Sequence, residues 1–278
     1  MAITTLNREL WSTLLIKGTQ EKIAFQEIVN NIGQVNGKEV HFSNIGAVTI
    51  SPYTKDTDIS NQTLTDSGID LALNQQHYFS VAVDDVDQAQ SDVAILAEIT
   101  RKGTFGLKKE MEEYIASLHA GAGIVTGLGD GTTPIEVNSV NVLATLRTIS
   151  RKLDEADADA STRWIVVPPW FTEDLSTALP ALDTNNSAML ASGYIGMFAG
   201  LKIYQSNNVV NTTGEAYKIM AGDQDAFRFG MNINSIEGLR NPAQFGDIVR
   251  GLAVFGAKVT QSSTLALLTA NEAAEPAA

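Results

Sequence analysis

The chain has 278 residues, of which 44% are hydrophobic and 18% are charged, a balance that excludes a disordered or low-complexity chain. It contains no cysteine, which excludes disulfide frameworks and cysteine-ligated metals. Its 19 Lys and Arg against 32 Asp and Glu give a net charge of -13, so it should repel nucleic acid unless its cations gather on one face.

Residues 1–36 predict an N-terminal arm that is extended and partly helical. Its apolar residues form small clusters separated by polar gaps, so they cannot build a core alone and need another surface to pack on. No basic leader followed by an apolar block is present, and no stretch approaches the roughly 18 apolar residues of a membrane span. We therefore expect a protein that is made and kept in the cytoplasm.

Residues 37–83 predict an extended β-ribbon. The stretches around Val40 to Phe42 and Ile69 to Val83 alternate apolar and polar residues, which is typical of half-buried strands. Between them, residues 54–68 are rich in Thr and Asp and have few apolar anchors. A ribbon of this kind is only marginally stable by itself, so it too needs a partner surface.

Residues 84–160 predict two helices. The first spans about 87–119, with Asp87 at its N-cap and an inward stripe that repeats every three or four residues. Gly103 and Gly106 each cost about 1 kcal/mol relative to Ala, so we expect a bend near residues 101–106. A flexible loop over 121–132 leads to the second helix, about 138–157.

The C-terminal half predicts mostly short strands. The stretch RWIVV, residues 163–167, whose last four residues are apolar, is typical of a buried strand that ends at Pro168 and Pro169, and a helix over about 171–181 follows. Residues 249–259 predict a long central strand, and the final residues should fray.

Candidate catalytic and cofactor sites lack the context they need. Gly121, Gly123 and Gly127 resemble a dinucleotide-binding fingerprint, but a helix precedes them and none follows directly, which inverts the required order. Asp84 and its acidic neighbours Asp85 and Asp87 fit helix capping better than calcium binding, since no glycine-turned loop with a distal Glu follows. The histidines occur in separate segments, at His41, His77 and His119. We therefore expect no enzyme activity, no cofactor and no metal.

The order of these segments resembles the major capsid protein of tailed bacteriophages, whose shell fold is shared with encapsulins. Five stretches are similar to the family: GKEVHFSNIGAVTISPY, IDLALNQQHYFSVAVDDVDQAQ, RWIVVPPWF, GMFAGLKIYQSNNV and DIVRGLAVFGAKV. Together they cover roughly residues 37–260. The resemblance implies an α+β tailed-phage capsid fold. Its expected parts are an N-terminal arm (1–36), an extended β-ribbon loop (37–83), a peripheral domain with a long spine helix (84–160), an axial domain (161–245), and a return strand of the peripheral domain with the C-terminal tail (246–278).

The resemblance also implies a structural role. Copies of the chain are expected to assemble through hexamers and pentamers into an icosahedral shell, which encloses phage double-stranded DNA without sequence-specific binding. The resemblance implies a portal protein as a partner. Some 36 residues before the ribbon are too few for a fused scaffolding domain like that of some relatives, so we expect a separate scaffolding protein, or assembly without one. The expected location is the virion, and the host cytoplasm during assembly, with no membrane partner.

The candidate assembly contacts lie in the arm and the ribbon. They are Trp11, Phe42, Tyr53, Lys55, Phe79 and Val81. Some relatives crosslink their shells through Lys–Asn bonds, but nothing around Lys55 indicates that it reacts.

Two other interpretations stay open at this point. An encapsulin-type compartment would share the fold and enclose a cargo enzyme, and a neighbouring gene for such an enzyme would favour it. Neighbouring terminase, portal and protease genes would favour the phage shell. A soluble α+β enzyme would instead form a monomer or small oligomer that binds a small ligand.

Overall fold

The described residues form two large β-sheets and a separate two-stranded sheet, the pair Glu39–Phe42 and Ile69–Ala72. The computed structural model describes residues 25, 28–34, 37–43, 48–53, 55, 58, 61–63, 68–84, 95–178, 194–212, 214, 216–242 and 245–274. The strands are β1 (Asn30–Gln34), β2 (Glu39–Phe42), β3 (Ile69–Ala72), β4 (Gln75–Asp84), β5 (Ile135–Val137), β6 (Trp164–Val167), β7 (Tyr194–Phe198), β8 (Leu201–Gln205), β9 (Asn211–Thr212), β10 (Ala216–Gly222), β11 (Phe227–Arg240), β12 (Gly246–Val259) and β13 (Leu265–Glu272). The helices are α1 (Ile95–Ser117), which continues into a 3-10 turn (Leu118–Gly121), α2 (Val142–Glu155) and α3 (Pro169–Ala178).

The first sheet has four strands in the order β1-β11-β12-β4. β11 and β12 form a long antiparallel hairpin, β4 pairs antiparallel with β12, and β1 pairs parallel with β11. The long strand predicted near residues 249–259 is therefore present as β12, and it lies in the middle of its sheet. The end of the predicted N-terminal arm belongs to the same subunit, since Phe25, Ile28 and Val29 are buried in its own core.

Helix α1 packs across β12 and β4 with the predicted stripe turned inward. Thr100, Thr104, Leu107 and Met111 are buried, and the Thr104 hydroxyl donates a hydrogen bond of 2.8 Å to the Thr100 carbonyl oxygen. A buried threonine therefore keeps its polar group satisfied within the helix itself. The predicted cap at Asp87 lies outside the described residues.

The two glycines of α1 have different surroundings. A Cβ on Gly103 would lie 3.0 Å from the Phe79 ring of β4, whereas a Cβ on Gly106 would meet nothing within 4 Å. The helix is unbroken through 101–106, so the bend expected there stays a prediction. Gly103 serves instead as the place where the Phe79 ring approaches the helix.

Alanine substitutions should separate these two glycines. Gly106→Ala should raise the free energy of unfolding by about 0.5–1 kcal/mol, because alanine is the better helix former and the site is open. Gly103→Ala should gain clearly less, because its methyl group presses on Phe79. Urea denaturation of both variants measures the difference. Equal gains at the two positions would show that Phe79 does not constrain the helix.

The second sheet has six strands in the order β5-β13-β10-β6-β8-β7, with β9 added beside β10. β6 is buried along its whole length, as its apolar sequence predicts. The predicted helices on either side of β6 are confirmed with small shifts at their ends. Pro169 begins α3 rather than only ending the strand, which suits its fixed φ and missing N–H.

The glycine-rich loop after α1 is held against β13, which differs from the flexible loop expected there. Its backbone is bonded to the β13 segment, with Gly123 N–H donating to the Ser262 oxygen (2.8 Å) and Ile124 N–H to the Leu265 oxygen (3.0 Å). Gly129 has φ of +75°, and a Cβ there would lie 2.3 Å from the Thr269 oxygen. These glycines therefore allow close backbone packing.

The predicted domain boundaries stay predictions, but strand membership differs from them in two places. β11 falls in the predicted axial segment 161–245, yet it pairs with β12 in the first sheet. β13 follows β12 in the predicted return segment 246–278, yet it pairs with β10 in the second sheet.

The residues expected to fray include the end of β13, and Ala273 N–H still donates to the Val137 oxygen at 2.8 Å. One hydrophobic core contains residues of both sheets.

Candidate assembly surfaces

The ribbon has two antiparallel strands, β2 and β3, and the segment between them carries exposed apolar side chains. Pairing runs from Glu39 opposite Ala72 to Phe42 opposite Ile69. Beyond the paired strands, Ile50 is 94% exposed and Tyr53 is 75% exposed, and Val48 is also mostly exposed. We call Val48, Ile50 and Tyr53 the ribbon tip. These side chains gain little from the fold of their own subunit, because most of their surface remains in water.

The base of the ribbon is anchored to the first sheet by three contacts. The Lys258 ammonium donates a hydrogen bond of 3.0 Å to the Asp70 backbone oxygen. The Arg228 guanidinium lies 5.1 Å from the centre of the Phe42 ring, within the range of a cation–π contact. Gly256 lets β12 approach the Ala72 oxygen so closely that a Cβ would lie 2.2 Å from it. The ribbon is therefore fixed at its base while its tip is exposed.

An exposed histidine–carboxylate pair joins the two ribbon strands. His41 lies directly opposite Asp70, and its Nδ1 is hydrogen-bonded to the Asp70 carboxylate. This hydrogen bond and the negative charge of Asp70 raise the pKa of His41 above its ordinary value, and Glu39 adds to the effect. Because the folded pKa is raised, the pair stabilises the ribbon fully below about pH 6.5 and loses this effect as the pH rises through the raised pKa.

NMR titration should show this coupling directly. In the unaltered protein, His41 should titrate above about pH 6.5, and in Asp70→Asn its pKa should fall back toward that value. An unchanged His41 pKa in Asp70→Asn would contradict the cross-strand pair.

The other candidate contacts fall in different environments. Phe42 is half-buried under Arg228, and Lys55 is exposed. Phe79 packs inside its own subunit, opposite Gly251 in the β4–β12 pairing and next to Gly103 of α1. Val81 is 36% exposed. Trp11 lies outside the described residues. The structure thus leaves Tyr53 and Lys55 most accessible, and the assembly role of all six stays a prediction.

A second exposed apolar group was not anticipated from the sequence. Phe245 is 81% exposed in the turn between β11 and β12, and Leu239 near the end of β11 is partly exposed. Arg240 and Asp247 form an ion pair of 3.4 Å across the same end of the hairpin. The signal in the sequence is a single Phe in a polar turn, NPAQFGD, between two long strands.

Tyr78 marks an exposed face of the first sheet. Tyr78 is on β4, directly opposite Leu252 of β12. Because side chains alternate along a strand, both lie on the face opposite to that of Phe79 and Gly251. Tyr78 is largely exposed and Leu252 is half-buried, as are Ile248 and Val254 at alternate positions of β12. We call Tyr78, Ile248, Leu252 and Val254 the outer sheet face. It is the side of the sheet opposite α1.

Titratable groups do not converge among the described residues. His41 contacts Asp70, and His77 lies 3.7 Å from the Glu110 carboxylate and stacks on Phe255 at 5.3 Å. Within the described part of the chain, no group of three or more His, Asp or Glu side chains is arranged to hold a metal ion. Of the helices described, none combines the length and apolar character needed to cross a membrane.

Similarity to known proteins is found in structure and not in sequence. The sequence matches no protein-family model and no curated protein. A structure from Mycobacterium phage Che8 is 24% identical, with a TM-score of 0.64 over 84% of both chains. A capsid structure of the cyanophage P-SCSP1u is 13% identical, with a TM-score of 0.70 over 90% of this chain and 88% of the other. A virus-like particle from Pyrococcus furiosus is 13% identical, with a TM-score of 0.55 over 94% and 98% of the two chains.

Proposed function

We propose that this chain, which has the tailed-phage capsid fold, is a structural major capsid protein. Copies assemble through hexamers and pentamers into an icosahedral shell around double-stranded DNA. The observation that carries the proposal is the anchored ribbon with an exposed apolar tip, on a fold shared with a phage capsid over about 90% of the chain. Ile50 is 94% exposed beside other exposed apolar side chains, and such a cluster is typical of a surface that binds another protein.

The tip of the ribbon finds its partner surface on another copy of the chain. Ile50 and Tyr53 together with Val48 supply apolar area. The outer sheet face supplies apolar side chains around Leu252 together with the exposed cation Arg250. Full burial of one such side chain is worth about 1.5–3 kcal/mol before ordering costs are subtracted. Each contact is therefore modest, and a closed shell gains strength because the contact is repeated by every one of its many subunits.

The net charge of -13 affects both the association of subunits and the adhesion of DNA to the shell wall. Like-charged subunits repel one another at low ionic strength, and salt screens this repulsion over a Debye length of about 10 Å at 0.1 M. The same excess of carboxylates allows DNA to be packed without general adhesion to the wall. A separate scaffolding protein would bring the subunits together, a portal would admit DNA, and the product would reside in the virion.

The contents of the particle distinguish the phage shell from the encapsulin-type compartment. A virus-like particle is among the similar structures, so the fold is compatible with a shell that is not a virion. Particles from a host that carries the gene in its natural context should contain nuclease-protected DNA. Particles that contain one enzyme and no DNA would favour the compartment.

Electron microscopy of the purified protein tests the proposal. We expect closed shells, tubes or capsomers when the chain is expressed alone or together with the genes that flank its own gene. Sedimentation velocity should show the matching large species. Monomers or small oligomers in both preparations would contradict a shell protein and favour a ligand-binding enzyme.

A further inference from the structure

The outer end of the β11–β12 hairpin projects beyond the core of the subunit. Four consecutive residues of β11, from Glu237 to Arg240, are exposed, so both faces of the strand lie outside the core there. Among the described residues, β1 pairs with β11 only as far as Met231, so no described strand covers the outer edge of this part of β11. We call Arg240, Phe245 and Asp247 the hairpin tip.

The hairpin tip has a fixed shape. The register of the β11–β12 pairing shifts by one residue at 234–236, and bulges of this kind redirect the strands that follow. At the far end, Asn241 N–H donates to the Gly246 oxygen at 2.9 Å, and Arg240 forms an ion pair of 3.4 Å with Asp247 across the two strands. A backbone hydrogen bond and an ion pair therefore close the turn that carries the aromatic ring.

Phe245 places a large apolar surface at this tip. It is 81% exposed, and among the large hydrophobic side chains that the structure describes only Ile50 is more exposed. The ring therefore contributes little to the stability of its own subunit. An aromatic ring in an exposed, closed turn is typical of a binding contact, because it offers much apolar area with few rotatable bonds.

The hairpin tip is electrically neutral although the protein is acidic. Residues 238–247, GLRNPAQFGD, contain one cation, Arg240, and one carboxylate, Asp247, whereas the whole chain has a net charge of -13. Two copies of the chain can therefore bring these tips together without the like-charge repulsion that the rest of their surface produces. Charge thus favours a second copy of the same tip as the partner.

A closed shell needs more than one kind of contact between copies. The contact of the ribbon tip with the outer sheet face joins two different surfaces, and one such contact repeated generates a ring or an open helix. Rings become a shell only where a second contact joins them. Phe245 is the most exposed of the described large hydrophobic side chains that the first contact does not use.

We propose that the hairpin tips of neighbouring capsomers meet, with Phe245 of one copy against Phe245 of another. The inference rests on the proposed function and adds the contact that joins its hexamers and pentamers. One Phe ring buries at most about 150–250 Å², well below the roughly 800 Å² that each partner contributes to a stable pairwise interface. The contact is therefore too small to hold free subunits together, and it acts where many copies are already aligned.

Phe245→Asp separates this contact from that of the ribbon tip. The variant should form capsomers like the parent in sedimentation velocity, but its yield of closed shells in electron microscopy should fall at least about tenfold. Phe245→Leu keeps an apolar side chain in the turn and should form shells. Phe105→Asp is the matched control, because it makes the same change at another exposed Phe, on α1, and it should also form shells.

A single cysteine identifies what the ring contacts. The chain has no cysteine, so Phe245→Cys introduces its one thiol. Shells of this variant, assembled together with the parent chain where it does not close alone, are oxidised with copper phenanthroline. They should give covalent dimers on a denaturing gel, because the thiols of two meeting tips come within disulfide distance. Shells of Val140→Cys, at another exposed apolar position, should give monomers.

Four results would overturn the inference while the parent still forms shells. The first is an unchanged yield of shells from Phe245→Asp, or an equal loss in Phe105→Asp. The second is loss of capsomers together with shells, which would place the contact inside the capsomer. The third is a lower urea midpoint of isolated Phe245→Asp subunits, which would show that the ring is covered by its own chain. The fourth is monomers alone from oxidised Phe245→Cys shells, which would place the ring on a different surface.

Failure of the proposed function has a different signature. The parent itself would then form neither capsomers nor shells, alone or with the products of its flanking genes, and the inference would fall with the proposal on which it rests.

Discussion

Ile50→Asp should abolish closed shells while leaving the subunit folded. Ile50 is 94% exposed, so a carboxylate there meets water in the free subunit and should change the free energy of unfolding by less than about 0.5 kcal/mol. In the assembled shell the same carboxylate would lose its hydration against the apolar side chains of the outer sheet face, and this loss exceeds what an exposed cation such as Arg250 on that face returns. Because every subunit repeats the contact, the loss is multiplied over the shell. Electron microscopy and urea denaturation of the same preparation measure the two effects.

Two controls keep this result interpretable. Ile50→Leu retains apolar area at the same position and should form shells. Val140→Asp introduces the same charge at another exposed apolar residue, 71% exposed before α2, and should also form shells. Shells from Ile50→Asp would show that the ribbon tip is not an assembly contact. Val81→Asp is a weaker choice, since Val81 is only 36% exposed and its substitution would disturb folding as well as assembly.

Gly256→Ala should release the base of the ribbon from the sheet. A methyl group at this position would lie 2.2 Å from the Ala72 oxygen and 3.1 Å from the Leu73 Cα, and both are backbone atoms that cannot rotate away. Overpacking of this kind costs about 1–3 kcal/mol, and here it acts where β3 crosses β12. We expect lower stability in urea, faster hydrogen exchange in β2 and β3, and fewer or irregular shells.

Gly238→Ala is the matched control in the same sheet. Gly238 lies on β11, and a Cβ there would meet nothing within 4 Å. Its replacement should be neutral or stabilising by less than about 1 kcal/mol, with unchanged exchange in the ribbon. If Gly256→Ala behaves like this control, the close approach of β12 to Ala72 does not hold the ribbon.

The periodicity of apolar residues was sufficient to predict the elements that bury one well-defined face. The stripe of α1 from Thr100 to Leu118 repeats at helical spacing because the helix packs on a sheet, and the structure confirms it. The same holds for β6, whose uninterrupted apolar run is typical of a strand covered on both faces. The α+β capsid fold was expected from the order of such elements and is confirmed by the structural likeness.

Long-range partners could not be read from local pattern. β1 pairs with β11 although nearly 200 residues separate Asn30 from Arg228 in the chain, and no local property of either strand specifies that pairing. Alternation placed Phe79 and Val81 on one face of β4, but alternation does not tell which face meets the helix. For the same reason, only the three-dimensional structure shows three further features. They are the inward position of Phe79, the contact of Lys258 with the ribbon and the pairing of β13 in the second sheet.

Cryo-electron microscopy of the assembled particles locates the ribbon tip of one subunit relative to its neighbours. We expect a closed icosahedral shell in which Ile50 and Tyr53 are buried against the outer sheet face of an adjacent copy. A shell in which these side chains remain exposed, or fold back on their own subunit, would contradict this expectation.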